Sequence, residues 1–295
     1  MSDKRQMDMF GTVSLVGFSA LLGINQVVIK LVNEGLQPVF FAGLRSLGAA
    51  ICLGVFMWAM GRAPKIRPGT WGVGLLIGTV FALEFLFLFI ALDLTTVVRV
   101  GVIFYSMPVW MAIAAHFVLP EDRMSGTKAI GLGLAFLGVA IAILSRGSGS
   151  GGSLLGDLCA LAAAMGWAAT ALMAKASRLR HETPEMQLMW QITVSAPILL
   201  IGAFFFGPFV RDFQPVLHLS GMAFQIGLVS IGFVFWLWLL SIYPASGVAS
   251  FSFLGPVFGV LFGWVLLGEP VGLSVWIALV FVASGLILVN RPQKT

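Results

Sequence analysis

Apolar residues run along this chain in nearly unbroken windows of about twenty, with neither the alternation of a strand nor the one-sided stripe of a soluble helix. A helix of that length, at 1.5 Å per residue, crosses the hydrocarbon core of a bilayer. Ten such windows are predicted, at about 10–31, 38–60, 71–91, 97–119, 127–144, 154–175, 186–206, 219–240, 247–266 and 272–290. Gly or Pro clusters such as Gly61-Arg-Ala-Pro64 and Tyr243-Pro-Ala-Ser-Gly247 divide most of them, whereas the last two are parted only by Gly268-Glu-Pro270. The first run follows Asp3-Lys-Arg5 and carries Asn25, Gln26 and Lys30 towards its far end. It exceeds the apolar core of a signal peptide and is expected to remain as the first helix.

Composition narrows the class. Of 295 residues, 59% are hydrophobic and 10% charged, against about 25% charged in a soluble domain. Ten spans of about twenty residues use roughly 200 positions, which leaves no room for a soluble catalytic domain. A water-soluble enzyme, a disordered protein and a single-span receptor are thereby excluded. The net charge of +5 could suggest a nucleic-acid partner, but Lys and Arg sit in short segments between apolar runs. With the N-terminus in the cytoplasm, twelve of them fall inside and four outside, and Arg45 lies within a span. That bias predicts two cytoplasmic termini and no nucleic-acid binding. Cys52 and Cys159 both lie in apolar stretches and read as small core residues. His116, His181 and His218 are scattered, no metal-ligand spacing occurs, and neither a metal nor a cofactor is expected.

The stretch Gly147-Ser-Gly-Ser-Gly-Gly-Ser153 has linker composition. It divides the chain into a first five-helix repeat (1–146), a linker (147–153) and a second repeat (154–295). The halves echo one another. Met107-Pro108-Val109, then Leu119 and Glu121, match Gly255-Pro256-Val257, then Leu267 and Glu269, at a constant offset of 148. Lys30, Pro38 and Arg45 fall opposite Lys175, Pro184 and Gln191 at offsets of 145 to 146. Because five is odd, the second repeat must enter the bilayer in the opposite sense. The fold class expected is an all-α polytopic membrane protein, with ten transmembrane helices in two inverted repeats around a central cavity. Inverted repeats of this kind characterise secondary transporters that work by alternating access.

In the paired segments Ala91-Leu92…Gly101…Tyr105-Ser-Met-Pro108-Val109…Glu121 and Leu240…Ala249…Phe253-Leu-Gly-Pro256-Val257…Leu267-Gly268-Glu269, the chain resembles the drug/metabolite transporter superfamily. The likeness is to its ten-helix EamA-type branch and covers essentially the whole chain. Glu84, Tyr105-x-x-Pro108 and Trp167, eight residues before Lys175, resemble YddG-type exporters of aromatic amino acids. One departure is Pro120, which stands where the second half has Gly268. The resemblance implies a basket of helices around a cavity and export of small amphipathic metabolites across a bacterial inner membrane, with aromatic amino acids as favoured cargo. Multidrug or other metabolite efflux in the same fold remains the alternative. A channel would need a filter loop or a ring of like charges, and an intramembrane enzyme a catalytic constellation; none is visible.

Charges at membrane depth cost about 2.5–3.5 kcal/mol on translocon scales and usually face a cavity or a partner. Arg45 and Glu84, each seven residues from the expected outer end of its span, lie about 10 Å deep. They could meet as a structural or coupling pair. Alternatively, Glu84 lines the cavity, where it grasps a substrate ammonium or carries a proton. Among the aromatics, Tyr105 and its repeat mate Phe253 lie beside breaks expected at Pro108 and Pro256. Backbone groups freed by proline must face protein or water, so the kinks would border the cavity. Trp167, on a helix with Ala160, Ala164 and Ala168, and Trp236 are further substrate-binding candidates; each could equally serve packing. Gly255, Gly259 and Gly263 recur every four residues and predict a close helix contact, with sliding as an added possibility. Lys30 and Lys175 are placed to snorkel, and Trp71 to anchor at the membrane surface. The partners expected are the bilayer, a small-molecule substrate and, if coupling exists, protons.

Overall fold

The structure is a computed structural model, and its described residues are 8–62, 64–119, 124–145, 152–243, 251 and 253–290, less the side chains of 237, 240 and 241. Helix α1 (Met9–Gly35) is followed by α2 (Pro38–Ala59) and α3 (Trp71–Leu94). The fourth span is two helices, α4 (Val97–Phe104) and α5 (Met107–Val118), and α6 (Gly126–Leu144) closes the first half. In the second half come α7 (Leu154–Ala176) and α8 (Pro184–Gly202), then α9 (Pro215–Gly227). A π turn (Leu228–Gly232) joins α9 to α10 (Phe233–Ile242), and α11 (Leu254–Leu267) and α12 (Leu273–Val289) complete the chain. Among the described residues, eight helical segments are long and apolar enough to cross a membrane, and α11 and α12 are shorter apolar helices. The linker residues 147–151, Glu121 and the start of the ninth window lie outside the described residues.

Local chemistry sets the boundaries. Side-chain oxygens of Asp8, Thr96, Ser125, Ser153 and Thr183 accept the N–H three residues on and so cap α1, α4, α6, α7 and α8. Pro38 and Pro184 open α2 and α8, where a missing N–H costs nothing. Helix α11 ends on Gly268 at φ +64°, the left-handed cap that glycine adopts without strain.

Successive spans run in opposite directions. Call the face where α1 begins proximal and the face where it ends distal. Ends of α1, α3, α6 and α8 and starts of α4, α7 and α9 meet at the distal face through the polar contacts described below. Helix α1 therefore rises to it while α7, the first span of the second half, descends from it. The packing is symmetric under exchange of halves. Second spans pair with each other (α2 with α8), as do fourth spans (α4 with α11) and fifth spans (α6 with α12). The third and first spans pair both ways, α3 with α7 and α1 with α9, and so do second and third, α2 with α9 and α8 with α3. An inverted pseudo-twofold arrangement of two five-span units is what these pairings describe.

Three features differ from the sequence expectation. The α3 helix extends to Leu94, so Glu84 lies ten residues from its end rather than seven, about 15 Å deep. Cys52 is not in the core: it is exposed on α2, where the bilayer would surround it, whereas Cys159 is buried. Lys30 does not snorkel. Its ammonium donates to the carbonyls of Leu92 (3.1 Å) and Thr95 (2.8 Å) and so caps the end of α3.

Candidate functional site

Glu84 is 1% exposed, in the middle of α3. Helix α7 supplies the wall it faces. A Cβ placed on Gly166 would stand 3.0 Å from the Glu84 Cβ, so the absence of a side chain there admits the carboxylate. One turn on, the Thr170 hydroxyl donates to Glu84 Oε2 at 3.3 Å. The other oxygen, Oε1, has no hydrogen-bond partner among the described residues. Trp167, next to Gly166 in sequence and half-buried, packs against the main core.

Arg45 is also 1% exposed, and it turns to another side of α3. Its guanidinium carbon lies 3.8 Å over the ring of Phe85, with Phe89 at 5.2 Å and Phe81 at 6.0 Å. These three rings sit four residues apart and form one ladder along α3. A charge over aromatic faces is favourable even in apolar surroundings. Arg45 and Glu84 make no direct ion pair among the described residues, yet they lie close enough to attract one another. Its single hydrogen bond, Nη2 to Ser46 Oγ at 3.4 Å, is long, and Nε has none.

The break in the fourth span is where the sequence places it, but it works differently. Pro108 and Pro256 both stand in the first turn of a helix, α5 and α11, where no intrahelical N–H bond is required. The chain breaks just ahead, at Tyr105-Ser106. The Ile103 carbonyl freed there is taken up by the Ser106 hydroxyl (2.6 Å) and N–H (3.2 Å), so it does not open onto a cavity. Tyr105 is buried against the bare backbone of α11: Cβ atoms on Gly255 and Gly259 would come within 2.6 Å and 3.6 Å of its ring. A Cβ on Gly259 would also stand 3.0 Å from the Gly101 Cα, and one on Gly263 would stand 2.8 Å from Val98 and Glu269. The glycine ridge is thus the seat of α4 and of the tyrosine. Phe253 precedes α11 and packs half-buried on the core. Gln26 of α1 also reaches this contact, with both amide atoms buried and unbonded.

Trp236 does not join these residues. It stacks on Phe18 (centroids 5.0 Å, planes 17° apart) in a separate cluster with Leu15, Leu239 and Tyr243, near the proximal ends of α1 and α10. The site candidates therefore divide into Glu84 of α3 with Arg45 of α2 within its electrostatic reach, Trp167 on α7, Tyr105 with the glycine ridge, and Trp236 apart.

The residues that sequence reasoning missed tie the halves together at the distal face. Asp157 of α7 receives the Arg99 guanidinium, with Nε at 3.0 Å and a second bond from Nη2, and the Thr95 hydroxyl at 2.9 Å. All of it is buried. Glu269 accepts the N–H groups of Val97 (2.9 Å) and Val98 (2.8 Å), an acidic cap on the N-terminus of α4. Burial pushes the Glu269 carboxyl up, against the pull of those two donors and of Lys30. Arg211 grips Asp93 (2.7 and 3.1 Å) and the Asn33 carbonyl (3.0 Å), while Gln37 donates to Ala203 (2.7 Å) and Gly207 (3.1 Å). At the proximal face the Tyr243 hydroxyl donates to Asp8 Oδ1 at 2.7 Å, while the ion pairs there are longer, Arg62 to Glu185 at 3.7 Å and Arg67 to Glu182 at 3.6 Å, each with an exposed arginine. A signal for the buried pair was present, since Arg99 and Asp157 each stand just inside an apolar window. No group of His, Cys, Asp and Glu among the described residues could hold a metal.

Comparison with known proteins agrees with this architecture. Residues 9–144 and again 154–291 match the EamA-like transporter family. The uncharacterized transporter YvbV of Bacillus subtilis is 29% identical over 298 residues, covering 98% of this chain and 95% of YvbV. A probable amino-acid metabolite efflux pump of Salmonella typhimurium is 28% identical, covering 86% and 87%, and one of Escherichia coli 26%, covering 90% and 89%. A crystal structure at 18% identity superposes with a TM-score of 0.64 over 94% of this chain and 97% of that one, a likeness of fold. With an inverted ten-span bundle and a family match across both halves, this multi-pass membrane protein belongs to the EamA-like transporter family of the drug/metabolite transporters.

Proposed function

We propose that the chain exports aromatic amino acids across a bacterial inner membrane by alternating access between units 1–146 and 154–295, with both termini cytoplasmic. The observation that carries this reading is Glu84. A carboxylate buried about 15 Å deep in a helical bundle, with one oxygen held by Thr170 and the other unpartnered, suits the ammonium of an amino acid. Trp167, half-buried on the same helix as Gly166 and Thr170, would supply a ring face for an indole or phenyl group. The distal seam, with its buried Arg99–Asp157 pair and the Glu269 cap, would be a closed gate in this state. Two relatives named probable amino-acid metabolite efflux pumps support the cargo class. Their breadth also favours a second reading, export of other amino-acid metabolites through the same site.

Cells that overproduce the chain should withstand toxic phenylalanine and tryptophan analogues at several-fold higher doses than control cells. Glu84→Gln, made at equal membrane abundance, should return tolerance to the control level. Equal sensitivity of overproducing and control cells contradicts the aromatic cargo; protection unchanged by Glu84→Gln removes that carboxylate from the site.

A further inference from the structure

Arg45 presents a problem that the aromatic ladder solves only in part. A guanidinium carries five N–H donors in one plane, and this one, 1% exposed, makes a single long hydrogen bond, to Ser46. Phe85, at 3.8 Å, covers its π face. Stacking of that kind leaves the in-plane edges untouched, and the edge that carries Nε is unbonded. No acid among the described residues lies within ion-pair distance. A buried cation that no anion touches, with Glu84 attracting it only from a distance, is costly and is retained where it has a use.

The fold itself does not require the charge. Helices α2 and α8 pair across the pseudo-twofold, and each begins with proline, at Pro38 and Pro184. Seven residues on, the first half has Arg45 and the second has Gln191. The same architectural position is thus filled once by a cation and once by a neutral amide.

We infer that Arg45 is the carboxylate-binding group of the transport site and that the cargo is a zwitterionic α-amino acid, not an amine or a neutral amphiphile. This rests on the proposed export function and names the chemical class that its site selects. The unbonded Nε edge offers the side-on geometry that takes both oxygens of a carboxylate. Glu84, on the neighbouring helix and within electrostatic reach of Arg45 without a direct ion pair, takes the ammonium. Two buried charges that make no direct ion pair are then bridged by one molecule that carries both opposite charges. The Phe81–Phe85–Phe89 ladder lies beside the guanidinium, so the surroundings of the carboxylate end are apolar as well as cationic.

The test measures competition with labelled substrate by four ligands on purified full-length protein in liposomes: phenylalanine, phenylalaninamide, phenethylamine and 3-phenylpropionate. Threonine is included as a non-aromatic amino acid. Wild type should prefer phenylalanine to phenylalaninamide and to phenethylamine by about 10- to 100-fold, the range for a hydrogen bond to a charged group. Arg45→Gln should lose that preference while it keeps its affinity for phenethylamine, and Arg45→Lys should restore part of it. The wild-type panel stands alone if the variants fail to fold. Equal competition by phenylalanine and phenethylamine in wild type overturns the assignment and leaves the export reading intact. Strong competition by threonine with the carboxylate preference kept supports Arg45 and refutes the aromatic cargo. A wild type indifferent to all five ligands overturns both.

Discussion

Asp157→Ala is expected to cost about 3–5 kcal/mol of stability, because it strands a buried cation. Asp157 is fully buried and holds two nitrogens of Arg99 together with the Thr95 hydroxyl. Arg99 would keep only the Ala142 carbonyl, which accepts a hydrogen bond but carries no charge. Water has no easy route to a site where α4, α6 and α7 converge. The penalty is the uncompensated charge rather than the worth of the pair, and the distinction can be measured. Asp157→Ala combined with Arg99→Met should recover most of the loss, since a well-packed apolar replacement of a buried ion pair is often neutral. Melting of detergent-solubilised protein, followed by the monodisperse fraction on size-exclusion chromatography, should show a large drop for the single variant. The double variant should melt close to wild type. A single variant that melts like wild type contradicts the buried pair.

Gly259→Leu is expected to abolish transport and to destabilise the bundle by about 1–3 kcal/mol or more, as overpacking does. The fourth spans of the two halves cross at Gly101 and Gly259, where a new Cβ would meet the Gly101 Cα at 3.0 Å and the Gln26 amide at 3.4 Å. Backbone cannot step aside as a side-chain tip can, so α4 and α11 must separate. Tyr105 would be displaced with them. Gly133→Leu is the control, since nothing lies within 4 Å of its Cβ position. Liposome uptake normalised to reconstituted protein should be lost for Gly259→Leu and unchanged for Gly133→Leu. Uptake retained by Gly259→Leu would place the helix crossing elsewhere.

Much of the fold was legible in the sequence because bilayer thickness leaves few choices for a run of twenty apolar residues. The ten windows, the break near Tyr105 and the inverted relation of the halves follow from hydropathy, one proline and an odd count. What could not be read is rotational. Hydropathy is nearly uniform around these helices, so it does not say that Arg45 faces Phe85 while Glu84 faces Thr170. Nor does it say that Trp236 turns to Phe18 rather than towards Glu84. Lys30 reads as a snorkelling side chain until the end of α3 is placed beside it. The distal seam was hidden for a related reason: Asp157, Arg99 and Glu269 stand at window edges, where charges usually meet water. Only the packing of the halves encloses them.

Counterflow in proteoliposomes tests the central claim most directly. Vesicles that contain purified protein are loaded with excess unlabelled tryptophan and diluted into trace labelled tryptophan. Transient accumulation of label above equilibrium is expected, abolished when tryptophan is omitted inside and much weaker with threonine. Protein-free vesicles should show none of it. Label that merely equilibrates, equally with and without internal tryptophan, would contradict a carrier with alternating access to a tryptophan site.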